Sequence, residues 1–210
     1  MVSSNNVSIC GEVTALRCLE DSAGRPVRAY RVAYRIPAGI PLSVTCFAYP
    51  GRTALSGKSP SVGDRILARG SLSQHDGKFF TDYRVDLDSV EPGDGLNEGN
   101  SVLFSGILGN VVHNSDKSRT ATLFLGEDSG CPCVVCTVPD GAPDYIGGVF
   151  CQGRRVRVSG WLQEDCCTDI YGYRHLSETV MVTGCDFVHD RKAVRAAMRP
   201  DAGDYDLFGY

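Results

Sequence analysis

The sequence predicts an all-β chain: two tandem five-stranded Greek-key barrels followed by a short C-terminal tail. Three observations predict it. Apolar and polar residues alternate with period two along most of the chain, the mark of half-buried strands. No helical segment of ten or more residues stands out before the C-terminus. Turn chemistry interrupts the alternation at short intervals, in a chain with 24 Gly and 10 Pro among 210 residues. The same plan of strands and turns then occurs a second time.

In the first half the alternation places strands near residues 6–18, 27–36, 42–49, 64–73 and 79–90. The breaks between them carry residues that favour turns: Asp21-Ser22-Ala23-Gly24, Ile36-Pro37-Ala38-Gly39, and His75-Asp76-Gly77-Lys78, an Asp-Gly hairpin. Residues 50–62 are rich in Gly, Ser and Pro and read as a long connection, with or without a short helix. Glu91-Pro92-Gly93-Asp94-Gly95 reads as a linker. In the second half the strands fall near 100–113, 119–126, 132–138, 153–163 and 171–188. The units are therefore 1–95 and 96–190, with 191–210 as the tail.

Two patches carry the repeat. Gly63-Asp64-Arg65-Ile66-Leu67-Ala68-Arg69-Gly70-Ser71-Leu72 matches Gly153-Arg154-Arg155-Val156-Arg157-Val158-Ser159-Gly160-Trp161-Leu162 at an offset of 90 residues. Val7-Ser8-Ile9-Cys10-Gly11-Glu12-Val13 resembles Val102-Leu103-Phe104-Ser105-Gly106-Ile107-Leu108 at an offset of 95. Five strands per unit, with the long connection between the third and fourth, fit the OB-fold. A glycine in the middle of each first strand, Gly11 and Gly106, suits the bend of a small barrel. A β-sandwich, with seven or more strands per unit, is the second choice.

These motifs resemble the bacterial single-stranded DNA-binding protein family, present twice in tandem. Asn100-Ser101-Val102-Leu103-Phe104-Ser105-Gly106-Ile107-Leu108-Gly109 is similar to that family's opening strand, and residues 153–162 to its fourth. The stretches 81–90 and 177–188 are compatible with its fifth, so the resemblance covers most of residues 6–188. It implies a protein that binds single-stranded DNA with little sequence preference, in replication, recombination or repair. It implies a bacterial, phage or mobile-element source, and a homodimer that gathers four barrels in one particle. It also implies a tail that docks replication or repair proteins.

Strand parity sorts candidate contacts from core. Tyr30, Val32, Tyr34 and Ile36 share one face and Arg31 and Arg35 the other; Val44, Cys46 and Ala48 oppose Phe47 and Tyr49. Outward Arg31, Arg35, Phe47 and Tyr49 supply cations for phosphates and rings for bases. Against this, Phe47 and Tyr49 could plug a barrel end or an interface. In the second unit Arg155, Arg157 and Trp161 share an outward face, and Tyr173 opens the last strand. Stacking and protein contact are equally open for Trp161, since Trp and Arg also anchor protein interfaces.

Charge divides unevenly. The net charge is −4; residues 1–95 carry 11 basic and 10 acidic side chains, residues 96–190 carry 6 and 12, and the tail 4 and 3. The first unit is the stronger candidate for nucleic acid, and the balance excludes a uniformly basic binder. The tail begins with a basic segment, 191–199. It ends Asp204-Tyr205-Asp206-Leu207-Phe208-Gly209-Tyr210, where Asp204, Asp206, Leu207 and Phe208 are the candidate partner-docking residues. The competing reading is an ordinary frayed terminus.

Ten cysteines include Cys131-Pro132-Cys133-Val134-Val135-Cys136, Cys151 and Cys166-Cys167. One CxxC without a second is a poor zinc signature, and a strand points its two thiols to opposite faces. Zinc, a disulfide and free thiols all stand open, with free thiols favoured. No HExxH, Walker A or GxGxxG pattern is found, so neither an enzyme nor a cofactor is expected. No secretory leader or membrane span is read at the start, and the expected location is the cytoplasm, on the nucleoid, or a host's cytoplasm or nucleus if the source is viral. The alternative function is an OB-fold scaffold for protein contacts in a nucleoprotein complex, or an RNA or telomere-end binder.

Overall fold

Alternating Val, Ile, Tyr and Leu produce six strands in the first half: β1 (Asn5–Glu20), β2 (Pro26–Arg35), β3 (Pro41–Ala48), the two-residue β4 (Ala54–Leu55), β5 (Arg65–Asp76) and β6 (Thr81–Pro92). The second half holds β7 (Gly99–His113), β8 (Arg119–Phe124), β9 (Cys133–Val138), α1 (Asp144–Val149), β10 (Arg155–Thr168) and β11 (Arg174–Phe187). This is a computed structural model, and it describes residues 4–21, 23–36, 39–76, 81–126, 131–168 and 174–188.

Each half closes into a barrel. β1 pairs antiparallel with β2 and β5, β2 with β3, and β5 with β6. A parallel contact between β3 and β6 completes the ring. The second half repeats this through β7, β8, β9, β11 and β10, again with a parallel closure, between β9 and β11. Five strands closed in this way, with α1 between the third and fourth, form the predicted OB-fold. In the first half the short strand β4 stands in the corresponding connection. Helix α1 is too short to show periodicity; it is held by Ile146, fully buried, with Phe150 buried just beyond it.

The predicted turns close as their residues suggest. Gly24 has a positive φ of 73°, and its N–H bonds Asp21 O at 2.9 Å. Gly39 has φ 77°, and its N–H bonds Ile36 O at 2.8 Å. Both are conformations that favour glycine. The mid-strand glycines have a different cause. A Cβ on Gly11 would lie 2.0 Å from Ala33 O, and one on Gly106 would lie 2.1 Å from Phe124 O. The first strand of each barrel coils so close to the second that no side chain fits between them.

The two barrels join by their first strands. β1 runs antiparallel to β7, with Val7 opposite Val102. These residues are 95 apart, the offset of the opening motif, so they are equivalent positions facing each other across a pseudo-two-fold axis. The pairing merges both barrels into one 11-stranded sheet. Side chains add bonds within each barrel beside the junction and one link across it. Asn5 brackets the Leu72 backbone, with Nδ2 donating to its O at 2.8 Å and Oδ1 accepting from its N at 2.9 Å. Asn100 does the same for Leu162 at 2.8 and 3.1 Å. Here the phenol of buried Tyr34 crosses from the first barrel, donating to Leu162 O and accepting from Asn100 Nδ2 at 2.9 Å. The position equivalent to Tyr34 in the second barrel is Leu125, which cannot return the bond.

Candidate nucleic-acid interface

The inward parity set of β2 and β3 fills the first barrel: Tyr30, Val32, Tyr34, Val44 and Cys46 are all 1% exposed or less. Their neighbours therefore face outward. In β3 these are Ser43, Thr45 and Phe47, with Tyr49 just beyond its end; Phe47 and Tyr49 are half-buried. Buried Ala29 on β2 lies opposite Phe47. On β6, Asp86 is level with Phe47, and Arg84 places its guanidinium 4.8 Å from the ring centroid. A cation at that range is attracted to the ring face.

Asp86 is a buried carboxylate beneath this surface, with Arg52 Nη1 at 3.6 Å. It would otherwise repel phosphate, and Arg52 offsets it. Tyr49 lies in the same field: burial raises its phenol above the ordinary value, Asp86 adds to the rise, and Arg84 and Arg52 oppose it. Tyr49 thus stays neutral at physiological pH, a flat ring next to two arginines.

The structure divides the eight predicted contact residues rather than gathering them. Arg31, Phe47 and Tyr49 lie together on the outer face of the first barrel. Arg31 is not a free cation: it pairs with Glu164 of β10 at 3.0 Å, while the other oxygen of Glu164 accepts the Thr45 N–H at 3.0 Å. Glu164 thereby ties the second barrel to β3 and lowers the charge of the patch.

Arg35 shares the face of Arg31 but lies four residues along β2, about 13 Å away at the usual strand rise. It lines a groove at the junction together with Trp161. Arg155 and Arg157 lie toward the other end of β10; Arg157 is exposed and Arg155 half-buried. Beside them the Arg154 guanidinium sits 5.8 Å from the Phe187 ring. Tyr173, and the tail residues Asp204, Asp206, Leu207 and Phe208, lie outside the described residues.

The second barrel does not repeat the first barrel's outer face. Strand registers equate Arg31 with Thr122, Phe47 with Thr137, Tyr49 with Pro139, Arg84 with Thr179 and Asp86 with Met181. Both rings and both arginines are gone. The interior equivalence is kept instead: Cys46 and Cys136 occupy one position and both are fully buried. Burial raises both thiols far above their ordinary value. Cys185 rises to about 12 for the same reason. Among the described residues the eight cysteines of the set are free thiols, and no cluster of three or more His, Cys, Asp or Glu could hold a metal ion. The side chains of Cys166 and Cys167 lie outside the described set.

The parity of β2 and β3 places Phe47 and Tyr49 outward, as the structure has them, but gives no sign of Arg52, Arg84 and Glu164 beside them. Arg84 lies on the predicted fifth strand, and the parallel closure of a five-stranded barrel is the signal that would have set it beside Phe47. Glu164 carries no local signal, because its contact spans the two units.

No family model matches the sequence, and no curated protein matches it. Solved structures do. The wild-type single-stranded DNA-binding protein from Thermus aquaticus superposes with a TM-score of 0.64 at 15% identity, over 90% of this chain and 95% of that one. A deletion mutant of the same protein matches with the same score and identity, over 90% of this chain and 96% of its own. The likeness extends across both barrels, and it shows that the chain shares that paired OB-fold.

Proposed function

We propose that the chain is a single-stranded DNA-binding protein with little sequence preference, built as units 1–95 and 96–190 with a tail at 191–210. One observation carries the reading: Phe47 and Tyr49 lie beside Arg84, Arg52 and Arg31 on one outward barrel face. Rings accept bases of any identity, and arginines follow the backbone, which is how strands are held without base readout. The paired fold shared with the Thermus protein supports it. Binding leaves the strand chemically unchanged, and no cofactor takes part.

The first unit is the primary binding surface, because the second lacks the equivalent rings and arginines. Protection of exposed strands in replication, recombination or repair follows from such binding. The Asp204, Asp206, Leu207 and Phe208 tip recruits partner proteins, two chains associate to present four barrels, and the protein works in the cytoplasm on the nucleoid, or in a host compartment if viral.

The test is anisotropy of a labelled oligo-dT with wild type, Phe47→Ala and Thr137→Ala. Each stacked base is worth roughly 1–3 kcal/mol, so Phe47→Ala should weaken binding about 5- to 150-fold, while Thr137→Ala leaves it near wild type. Equal effects of the two substitutions would defeat the assignment of the first-barrel face.

A further inference from the structure

The junction groove is lined by Arg35, Arg65, Asn97, Glu98, Trp161 and Thr183, among others, and is an open cleft of about 870 Å³. Sites for small ligands span roughly 300–1,000 Å³, so it has room for a nucleotide. Its charges are not equivalent. Arg65 is engaged, donating to Leu96 O at 2.6 Å and lying 3.4 Å from Glu98 Oε1. Arg35 is exposed; it makes one long bond, to Gly39 O at 3.4 Å, and pairs with no carboxylate among the described residues. Glu98 is therefore balanced by Arg65, which leaves Arg35 as the groove's available cation.

Trp161 supplies the flat surface. It is the sole tryptophan of the chain, half-buried on the outward face of β10, and its indole N–H has no acceptor among the described residues. The pseudo-two-fold axis gives no second copy of this arrangement. Equivalent positions replace Trp161 with Ser71, Arg35 with Gly126 and Thr183 with Asp88. The mate of the groove thus lacks both the ring and this cation and carries an acid.

We propose that the groove is a one-nucleotide subsite, with the backbone phosphate on the Arg35 guanidinium and the base against the Trp161 indole. This rests on the reading of the chain as a single-stranded DNA binder. Arg35 and Arg31 lie on the same face of β2, so a strand leaving Phe47 and Tyr49 along β2 reaches the groove. The second barrel then touches the strand through Trp161, its outer face keeping no equivalent of Phe47 or Tyr49. Because the groove exists on one side of the axis only, the strand has one route between the barrels.

The full chain is titrated with oligo-dT under two simultaneous readouts, anisotropy of the labelled strand and the intrinsic emission of Trp161. Wild type, Arg35→Gln, Arg35→Lys and Trp161→Phe are compared across a salt series. Strong quenching in wild type is expected. Arg35→Gln should weaken binding at least about fivefold and flatten the dependence of log Kd on log salt by close to one phosphate contact, with Arg35→Lys restoring much of both. Trp161→Phe should bind less tightly with an unchanged salt slope. Binding by anisotropy with unaltered Trp161 emission, and Arg35→Gln equal to wild type in affinity and slope, would overturn the subsite and leave the first-barrel reading standing. No binding of the strand at low salt would overturn both.

Discussion

Asn100→Ala tests whether the junction between the barrels depends on a polar lock as well as on strand pairing. The half-buried Asn100 side chain makes three bonds to buried Leu162 and Tyr34: Nδ2 to Leu162 O at 2.8 Å, Nδ2 to Tyr34 Oη at 2.9 Å, and Oδ1 from Leu162 N at 3.1 Å. Alanine removes all three. Leu162 O keeps the Tyr34 hydroxyl as donor, but the Leu162 N–H loses its side-chain acceptor and the phenol oxygen loses its donor. A buried polar group left without a partner costs about 1–3 kcal/mol, the case of the Leu162 N–H; the phenol keeps Leu162 O and loses one net bond of about 0.5–1.5 kcal/mol, so together the cost should be about 2–4 kcal/mol. Tyr34→Phe is milder, because Asn100 still brackets Leu162 from both sides; a loss of about 1 kcal/mol is expected. Asn5→Ala, at the equivalent site without a phenol, should fall between them. Equilibrium urea unfolding measured by circular dichroism and by Trp161 emission reads all three, and coincidence of the two probes checks that one transition is being measured. The reasoning is refuted if Asn100→Ala unfolds within about 0.5 kcal/mol of wild type, or if Tyr34→Phe costs more than Asn100→Ala.

Three further outcomes follow from the barrels. Alanine at Gly70 or Gly160 would set a Cβ 2.0 or 2.1 Å from the backbone oxygens of Asp86 or Met181, at the β-bulge of each barrel; a loss of at least about 2–3 kcal/mol is expected in thermal or urea unfolding, against little change for an exposed Ser→Ala control. Thiol labelling followed by mass spectrometry should modify exposed Cys18 and Cys151 in the native protein, while Cys46, Cys136 and Cys185 react only after denaturation, since burial keeps them as thiols. Stability should fall at alkaline pH. Burial raises the Tyr34 phenol and the Cys46 and Cys136 thiols above their ordinary values of 10.0 and 9.0. The folded chain then holds protons that the unfolded chain releases, and the stability present below about pH 9 is lost as pH rises further, by up to about 1.4 kcal/mol per pH unit for each group. Tyr34→Phe should lessen the slope above pH 10 in unfolding curves taken across that range.

Period-two alternation and turn residues locate ten of the eleven strands among the described residues to within a few residues, because both are local properties of the chain. The exception, Ala54–Leu55, is two residues in a connection without alternation, and α1 is a single turn and a half with two glycines. Asn5 and Asn100 also stand at the 95-residue offset of the opening motif; each brackets a backbone within its own barrel, and Asn100 alone meets Tyr34 across the junction. The predicted contact residues were harder to group. Arg155, Arg157 and Trp161 share one strand face, yet a coiled strand in a small barrel carries that face from one end of the molecule to the junction, so parity alone sets no distance between them. The Arg31–Glu164 pair joins residues 133 apart in the chain, and neither carries a local mark of it. Net charge per unit pointed to the first barrel, and the loss of Arg31, Phe47, Tyr49 and Arg84 equivalents from the second gives that difference a location.

The most direct test of strand binding is anisotropy of a labelled oligo-dT titrated with the full chain at low and at raised salt, with duplex DNA of equal length as competitor. Stacking on Phe47 and Tyr49 with arginines along the backbone predicts saturable binding at low salt, weakening as salt rises, and little displacement by duplex, whose bases are already stacked on one another. Absence of binding at low salt, or displacement by duplex as readily as by unlabelled oligo-dT, would contradict it.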